Sequence, residues 1–442
     1  MRGDIVIVGG GAGGLELASK LGRKLGRKPG GKPGPARVVL VDSRQTHVWK
    51  PSLHEVAAGT LDIHQEGLSY QMLAHDNGFT FVYGALTALD AASRRITVAP
   101  IKTDSGEEVL PERRIEFGSL VIAVGSTSNY FGVPGAREHT ISLNHTEDAE
   151  RFRLTLLKLM AQAEARKEEN LPGETGVDVV IIGGGATGVE LAAELREASA
   201  AYTAYGFRQL DPRKDVRITL LEGAPRILAP LPERVAAAAL RLLHERAIKV
   251  VTNCRVTAIE AETVTDKEGN VYHADLCVWA AGIRAPEFLA GLGLPTTKSG
   301  QIEVDGFLRV KGSEHIYAMG DCAACADAEG KLVPPRAQAA HQQADYLRER
   351  LLRLASGKAP SGLPYTYRDY GSLVSFGQTT TVGSLMGSLK GLSWFVEGFF
   401  ARMMYVSLHL LHHGAVLGPV RTGVLALARF LIKRSRPLVK LH

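Results

Sequence analysis

Two glycine runs with the same spacing are the residues most able to organise chemistry in this chain. Gly9, Gly11 and Gly14 form one G-x-G-x-x-G run; Gly183, Gly185 and Gly188 form another, 174 positions later. Each follows four apolar residues and opens a stretch of helical character. Each is answered by an acid at the end of the next apolar strand, Asp42 in the first copy and Glu222 in the second. In that setting the first glycine permits a tight turn, the second lets backbone approach a pyrophosphate, and the third lets helix and strand pack closely. The helix N-terminus adds positive potential, and the acid can accept hydrogen bonds from ribose hydroxyls. Asp42 stands farther from Gly14 than the usual ~20 residues, and the Gly/Pro/Lys-rich stretch Gly26–Ala36 accounts for the gap. Glu222 would repel a 2′-phosphate, which favours NADH over NADPH. Arg226, four residues on, could soften that preference. A glycine-rich turn without ligand is the plainer reading of either run alone. Two together suggest a bound redox cofactor and a diffusible nicotinamide placed to exchange hydride.

Other side chains carry weaker signals. The apolar run His315–Asp321 ends in Gly320-Asp321, where a carboxylate after a tight turn could hold the polyol chain of a flavin. Cys322 and Cys325 have the C-x-x-C spacing of redox dithiols, which require a low-pKa thiolate. No second cysteine pair completes four zinc ligands, and no metal is expected. Glu190 follows the second glycine run and is either a gating acid or an acid favoured by the helix dipole. Glu16 holds the same place after the first run, so both cannot gate. His409, His412 and His413 fall at helical spacing in an aromatic, basic segment, and an interfacial face is expected there rather than a metal site.

The elements that must position these residues read as strand, glycine turn, helix and strand, twice over. Fully apolar runs of four suit parallel strands buried on both faces. Helical stretches are expected at Leu15–Leu25, Glu147–Arg166 and Val189–Ala200, with strands at Val38–Asp42 and Ile218–Glu222. Further apolar strands run Leu120–Gly125 and Leu276–Gly282. The fold class is α/β, with two Rossmann-like dinucleotide-binding domains, one inserted in the other, and a C-terminal α/β region. At 442 residues the chain exceeds one ordinary core. Four cysteines in that length argue against a disulfide-stapled secreted protein and fit a reducing compartment. The opening residues read as a strand rather than a signal peptide.

Several longer stretches resemble the bacterial type II NADH:quinone oxidoreductases, within the flavoproteins that carry two dinucleotide-binding domains. They are 47–62 (HVWKPSLHEVAAGTLD), 333–344 (VPPRAQAAHQQA), 371–387 (GSLVSFGQTTTVGSLMG) and the terminal PLVKLH, beside the two glycine runs and the LCVWAAG and YAMGD strands. The resemblance covers essentially the whole chain. It implies non-covalent FAD held by Gly9, Gly11, Ala12, Gly13, Gly14, Asp42, Lys50, Gly125 and Asp321. It implies NADH as substrate at Gly183, Gly185, Gly188, Glu222 and Gly282, and a membrane quinone beside Gln338 and Gln342. Those glutamines are four apart and share one face if the stretch is helical; a polar helix surface is the plainer alternative. The resemblance also places Glu190 near the meeting of nicotinamide and quinone. Glu190 and His341 are the candidate proton carriers. The implied domains are 1–145 and 283–350 for FAD, 146–282 for NADH, and 351–442 for the C-terminal region.

The charge of the chain lies in its tail. From Gly391 onward seven basic residues (Arg402, Arg421, Arg429, Lys433, Arg434, Arg436 and Lys440) face one acid, Glu397, which equals the whole-chain excess of +6. A bilayer span needs ~20 mostly apolar residues. Trp394–Leu411 and Thr422–Ile432 are both interrupted by charge, and read as helices lying in the interface of an anionic membrane. A helix packed on the body or at a homodimer interface is the alternative, and no nucleic acid is expected. The reaction implied is NADH oxidation without proton pumping, peripheral to the cytoplasmic face of a bacterial membrane. Its rivals are a soluble disulfide or ferredoxin reductase, a sulfide:quinone oxidoreductase, and a flavin-containing NADH sensor without turnover.

Overall fold

The computed structural model describes residues 3–26, 34–171, 175–327, 330–360, 362–377, 380–386, 393–397, 399–435 and 439–440. Most of the Gly/Pro loop, Arg436 and most of the PLVKLH terminus lie outside the described residues, as do the side chains of Arg402, Lys433, Arg434 and Glu397. Two five-stranded parallel sheets organise the rest. In space the first runs Ile316–Ala318, Ser119–Ile122, Ile5–Val8, Val38–Asp42, Thr80–Tyr83. The second runs Ile141–Ser142, Leu276–Trp279, Val177–Ile182, Val216–Leu221, Ile248–Val251. The last strand of the first sheet arrives only after the second sheet is complete, so one unit is inserted in the other. The chain leaves and re-enters through Thr127–Ser128 and Ile283–Arg284, which pair antiparallel.

The central strands are apolar because helices cover both faces. Val6, Ile7, Val38 and Leu40 are fully buried in the first sheet, as are Val179, Ile181 and Leu220 in the second. Each such side chain contributes roughly 1.5–3 kcal/mol on burial. The helices that follow the glycine turns span Ala12–Leu25 and Ala186–Tyr205 and begin directly after Gly11 and Gly185. Their residues after the turn include Gly13 and Gly14 in the first and Thr187 and Gly188 in the second, which lower helix propensity; that explains the later starts expected from sequence. Helix Ala337–Ala355 packs along helix Ala12–Leu25.

The C-terminal region opens with an antiparallel sheet of Gly371–Phe376, Thr380–Met386 and Ser393–Glu397. Trp394–Glu397, expected as the start of an interfacial helix, is therefore a strand. Trp394, Phe395 and Val396 are strong strand formers, and their pairing with Gly383–Leu385 decides the outcome. Helices Phe399–Leu417 and Pro419–Ser435 follow, broken at Gly418, which adopts a positive φ of 84°. Arg23 and Asn77 donate to the last carbonyls of the first of these helices, at Ala415 and Val416. Among the described residues no helix is long and apolar enough to cross a membrane. The chain then returns to the body: Lys440 N–H donates to the Gly59 carbonyl at 2.8 Å, and Arg153 donates to the Lys440 carbonyl at 3.1 Å.

Candidate active site

The two glycine turns are built alike. Gly9 and Gly183 adopt positive φ angles of 104° and 113°. A methyl group at Gly14 would meet the Gly9 carbonyl oxygen at 1.9 Å, and one at Gly188 would meet that of Gly183 at 2.0 Å. Around the middle glycines, Gly11 and Gly185, the space is open. Neither helix start has a side-chain cap, so the first backbone N–H groups remain available to an anion. Asp42 accepts from Gly10 N–H at 2.6 Å and Arg44 N–H at 2.8 Å. Glu222 accepts in the same way from Gly184 N–H at 2.5 Å and Ala224 N–H at 2.7 Å. Burial raises the Asp42 pKa, and those backbone donors oppose the rise. Arg226 donates to the carbonyls of Ala229 and Leu231. It is thus committed to the backbone, and the softening of the 2′-phosphate repulsion considered from sequence loses its basis.

Around the first turn, two side chains invisible to motif reading hold the backbone. Tyr70 donates to the Gly10 carbonyl at 2.7 Å, and His47 Nδ1 lies 3.0 Å from the same oxygen. Lys50 donates to the Ser126 carbonyl beside Gly125, and Ser126 donates to Asp321 at 2.7 Å. Enclosure by protein lowers the Lys50 pKa, with Asp321 opposing, yet its surface stays accessible to solvent. A neighbouring recess is lined by Gln301, Gly320, Asp321, Arg336, Ala339 and Gln343. Gln343, not singled out from sequence, accepts from Gly320 N–H at 2.7 Å and so fixes the turn that presents Asp321. Its only signal in the sequence was its place directly after Gln342, on a different face of the same helix. Gly282 has a φ of +78° and lies against the ring of Phe131.

Gln338 and Gln342 do share a helix face, but their amides are spoken for by backbone. Gln338 accepts from Tyr370 N–H and donates to the Gly371 carbonyl at 3.0 Å. Gln342 accepts from Arg368 N–H and donates to the Arg368 carbonyl at 2.8 Å. They clamp the segment entering strand Gly371–Phe376. His341 points elsewhere, to Glu16, with Nδ1 2.7 Å from the carboxylate, and this hydrogen bond raises its pKa. Glu190 is buried in helix Ala186–Tyr205 and accepts from Ser375 N–H at 3.1 Å, on the strand the glutamines steady. Burial raises its pKa. Burial likewise pushes the Cys322 thiol up to about 12 and Cys325 up to about 11, opposite to the thiolate a dithiol mechanism needs.

The histidines of helix Phe399–Leu417 correct an expectation. His409, His412 and His413 are buried against the body, not turned to an interface. His412 Nε2 lies 2.9 Å from His47 Nε2, and the Trp49 ring packs against His409. Burial lowers the pKa of His47 to about 4, and that of His412 also falls; neutral imidazoles fit there because a hydrocarbon-like setting disfavours charge. Among the described residues, three groups of side chains bring metal-type donors within 4.8 Å. In each, a carboxylate is already paired with a cation: Glu66 with Arg429, Glu16 with Lys20, and Asp178 with Arg217. Three of the tail's basic residues are likewise neutralised by the body, Arg421 by Asp76, Arg429 by Glu66, and Lys440 by Asp62 and Glu150. Apolar side chains are exposed on the outer surface among the described residues. Met403, Leu408 and Leu411 are exposed on one helix, and Val420, Val424, Leu427 and Leu431 form a stripe along the next.

Comparison with known proteins agrees with this architecture. Residues 3–344 match the pyridine nucleotide-disulphide oxidoreductase family. A type II NADH:quinone oxidoreductase of Haemophilus influenzae is 38% identical over 99% of this chain and 100% of its own. A demethylphylloquinone reductase of Synechocystis is 31% identical over 87% of each chain. The solved structure of NDH2 from Plasmodium falciparum in complex with NADH superposes with a TM-score of 0.79 over 100% of both chains at 18% identity, which establishes the shared fold. By family match and by full-length similarity, the chain belongs to the pyridine nucleotide-disulphide oxidoreductases, and among them to the type II NADH:quinone oxidoreductases.

Proposed function

We propose that the chain oxidises NADH and passes the electron pair through bound FAD to a membrane quinone, without moving protons across the membrane. The observation that carries this reading is the duplicated cradle: an open middle glycine, an uncapped helix start and a strand-end acid, twice in one chain. The first cradle fits a flavin dinucleotide. Gly9, Gly11, Ala12, Gly13 and Gly14 would hold its pyrophosphate, Asp42 its ribose, and Gly125, Lys50 and Asp321 the rest of the molecule. A pyrophosphate cradle favours FAD over the shorter FMN. When bound, the flavin supplies a carrier between a hydride donor and a quinone.

The remaining tasks belong to the protein. Gly183, Gly185 and Gly188 with Gly282 orient NADH, and Glu222 selects it over NADPH. Gln338 and Gln342 steady the wall of the quinone approach through residues 368–371, and Glu190 holds a proton beside it. The apolar faces of the last two helices rest on the membrane, on the cytoplasmic side in a bacterium; the same faces would also serve a homodimer. The raised thiol pKa values weigh against a disulfide reductase. An anaerobic titration tests the whole reading. NADH should bleach the flavin absorbance and a quinone should restore it. A flavin that NADH leaves oxidised would belong to a sensor, and one restored by a disulfide acceptor but not by quinone would belong to a disulfide reductase.

A further inference from the structure

The internal repeat supplies its own control. Glu16 and Glu190 occupy equivalent positions in the two helices that follow the glycine turns. Glu16, 1% exposed, is compensated by Lys20 Nζ at 2.5 Å and His341 Nδ1 at 2.7 Å. The residue equivalent to Lys20 in the second helix is Glu194, itself 3% exposed. The second copy thus sets two carboxyls one helical turn apart where the first sets an ion pair. Among the described residues neither Glu190 nor Glu194 is ion-paired with lysine or arginine.

Several elements converge on this pair. Helix Leu53–Ala58 contributes His54 and Glu55, and Glu190 Oε2 lies 3.7 Å from His54 Nδ1. Glu194 accepts from the Thr60 hydroxyl at 2.5 Å. Strand Gly371–Phe376 contributes the Ser375 N–H, and the helix itself contributes Glu197, whose partner Arg246 stands 3.9 Å away. Arg153, on helix Thr146–Glu168, is engaged by Glu150. His54 is 2% exposed, and its Nε2 has no hydrogen-bond partner among the described residues. Burial raises both carboxyl pKa values, that of Glu194 to about 7, with Glu55 adding to the rise. Two buried acids without a lysine or arginine partner among the described residues cost stability that glutamine or leucine would avoid. Such a cluster is a candidate for proton handling.

We propose that Glu194 and His54 form a proton store that reloads Glu190 during quinone reduction. This rests on the reading given above. In net terms NADH, a proton and a quinone yield NAD⁺ and a quinol. The hydride brings the electron pair and one hydrogen nucleus, and Glu190 gives the remaining proton to a quinone oxygen. His54 then releases the proton on Nδ1 to the Glu190 carboxylate, 3.7 Å away, and regains one at Nε2 from Glu194 through an intervening water, and solvent reprotonates Glu194. Glu194 and His54 act through Glu190 and are positioning residues for that transfer.

The test is stopped-flow on the full-length, flavin-loaded protein, following bleaching by NADH and recovery with a short-chain quinone separately, from pH about 5.5 to 8.5. In the unaltered protein, recovery slows as pH rises through about 7, because Glu194 then loses the proton it would pass on. Glu194→Gln should slow recovery about tenfold or more and abolish that inflection, while the pH profile of bleaching keeps its shape. Glu194→Asp should bring an inflection back. Recovery in Glu194→Gln with the unaltered pH profile would overturn the proposal. If that variant does not retain flavin, His54→Asn decides by the same two outcomes. An unaltered protein whose flavin is not bleached by NADH, or not restored by quinone, removes the underlying reading and this one with it; an unshifted profile in a variant that turns over removes the proton store alone.

Discussion

At the scale of single residues, the glycines of one turn separate two kinds of demand. Gly11 has ordinary extended backbone, with φ −61° and ψ −176°, and nothing near its missing side chain. Gly14 has no room even for a methyl group. Gly11→Ala should therefore leave the thermal stability of the flavin-free protein unchanged and weaken flavin retention, because only the ligand would meet the new methyl. Gly14→Ala should lose both, with a destabilisation of about 2 kcal/mol or more from overpacking against the Gly9 carbonyl. Thermal melts with and without FAD, beside the flavin content of purified protein, distinguish them; equal melts for the two flavin-free variants would contradict the assignment. The glycines and the acids Asp42 and Glu222 were legible in sequence because each acts within its own turn or across a neighbouring strand. His47 and Tyr70 were not, since they reach the Gly10 carbonyl from 37 and 60 positions away. Glu194 was legible in principle: setting the two copies in register puts an acid opposite Lys20.

At the scale of elements, the tail shows where pattern reading fails. Charge counting treats every arginine as available to a membrane, at about 1 kcal/mol each before screening. Arg421, Arg429 and Lys440 are held instead by Asp76, Glu66, Asp62 and Glu150, partners at long sequence separation that no local pattern reveals. The apolar stripe Val420, Val424, Leu427, Leu431 has the i, i+4, i+7, i+11 spacing of one helix face, and that was readable. Replacing Val424 and Leu427 together by glutamate should cut sedimentation with anionic vesicles by at least tenfold, since two buried side chains contribute roughly 3 kcal/mol or more. Arg421→Gln should change it less than twofold, the charge being already engaged. The reverse ranking would return the tail to an electrostatic anchor. Helices and strands around the glycine turns matched expectation because burial on both faces leaves a continuous apolar run. The strand Ser393–Glu397 did not, because its apolar residues also suit an interfacial helix and only the hairpin partner decides between the two.

At the scale of the whole molecule, insertion of one sheet-bearing unit within the other makes the two glycine turns part of one framework, joined by Thr127–Ser128 and Ile283–Arg284. The returning C-terminus adds a second closure. Val439 is buried at 6% exposure, and Lys440 bonds through its backbone to Gly59 and Arg153. Ending the chain at Ser435 should lower the melting temperature of the flavin-loaded protein by about 2–4 °C for each kcal/mol lost. An unchanged melt would show that these contacts contribute nothing to stability. Gly59 follows the helix bearing His54, so the same truncation should also loosen that helix, visible as faster amide exchange over residues 53–59.

The docked end has a mechanical meaning. A foot fastened at heel and toe cannot sink: the hairpin fixes the apolar pair of helices at one extremity and Lys440 fixes it at the other. On the proposed membrane reading, the depth at which the protein would ride in lipid is set by the length of chain between those fastenings, not by how greasy the pair is, and a lipid-soluble oxidant would meet the protein at one fixed height.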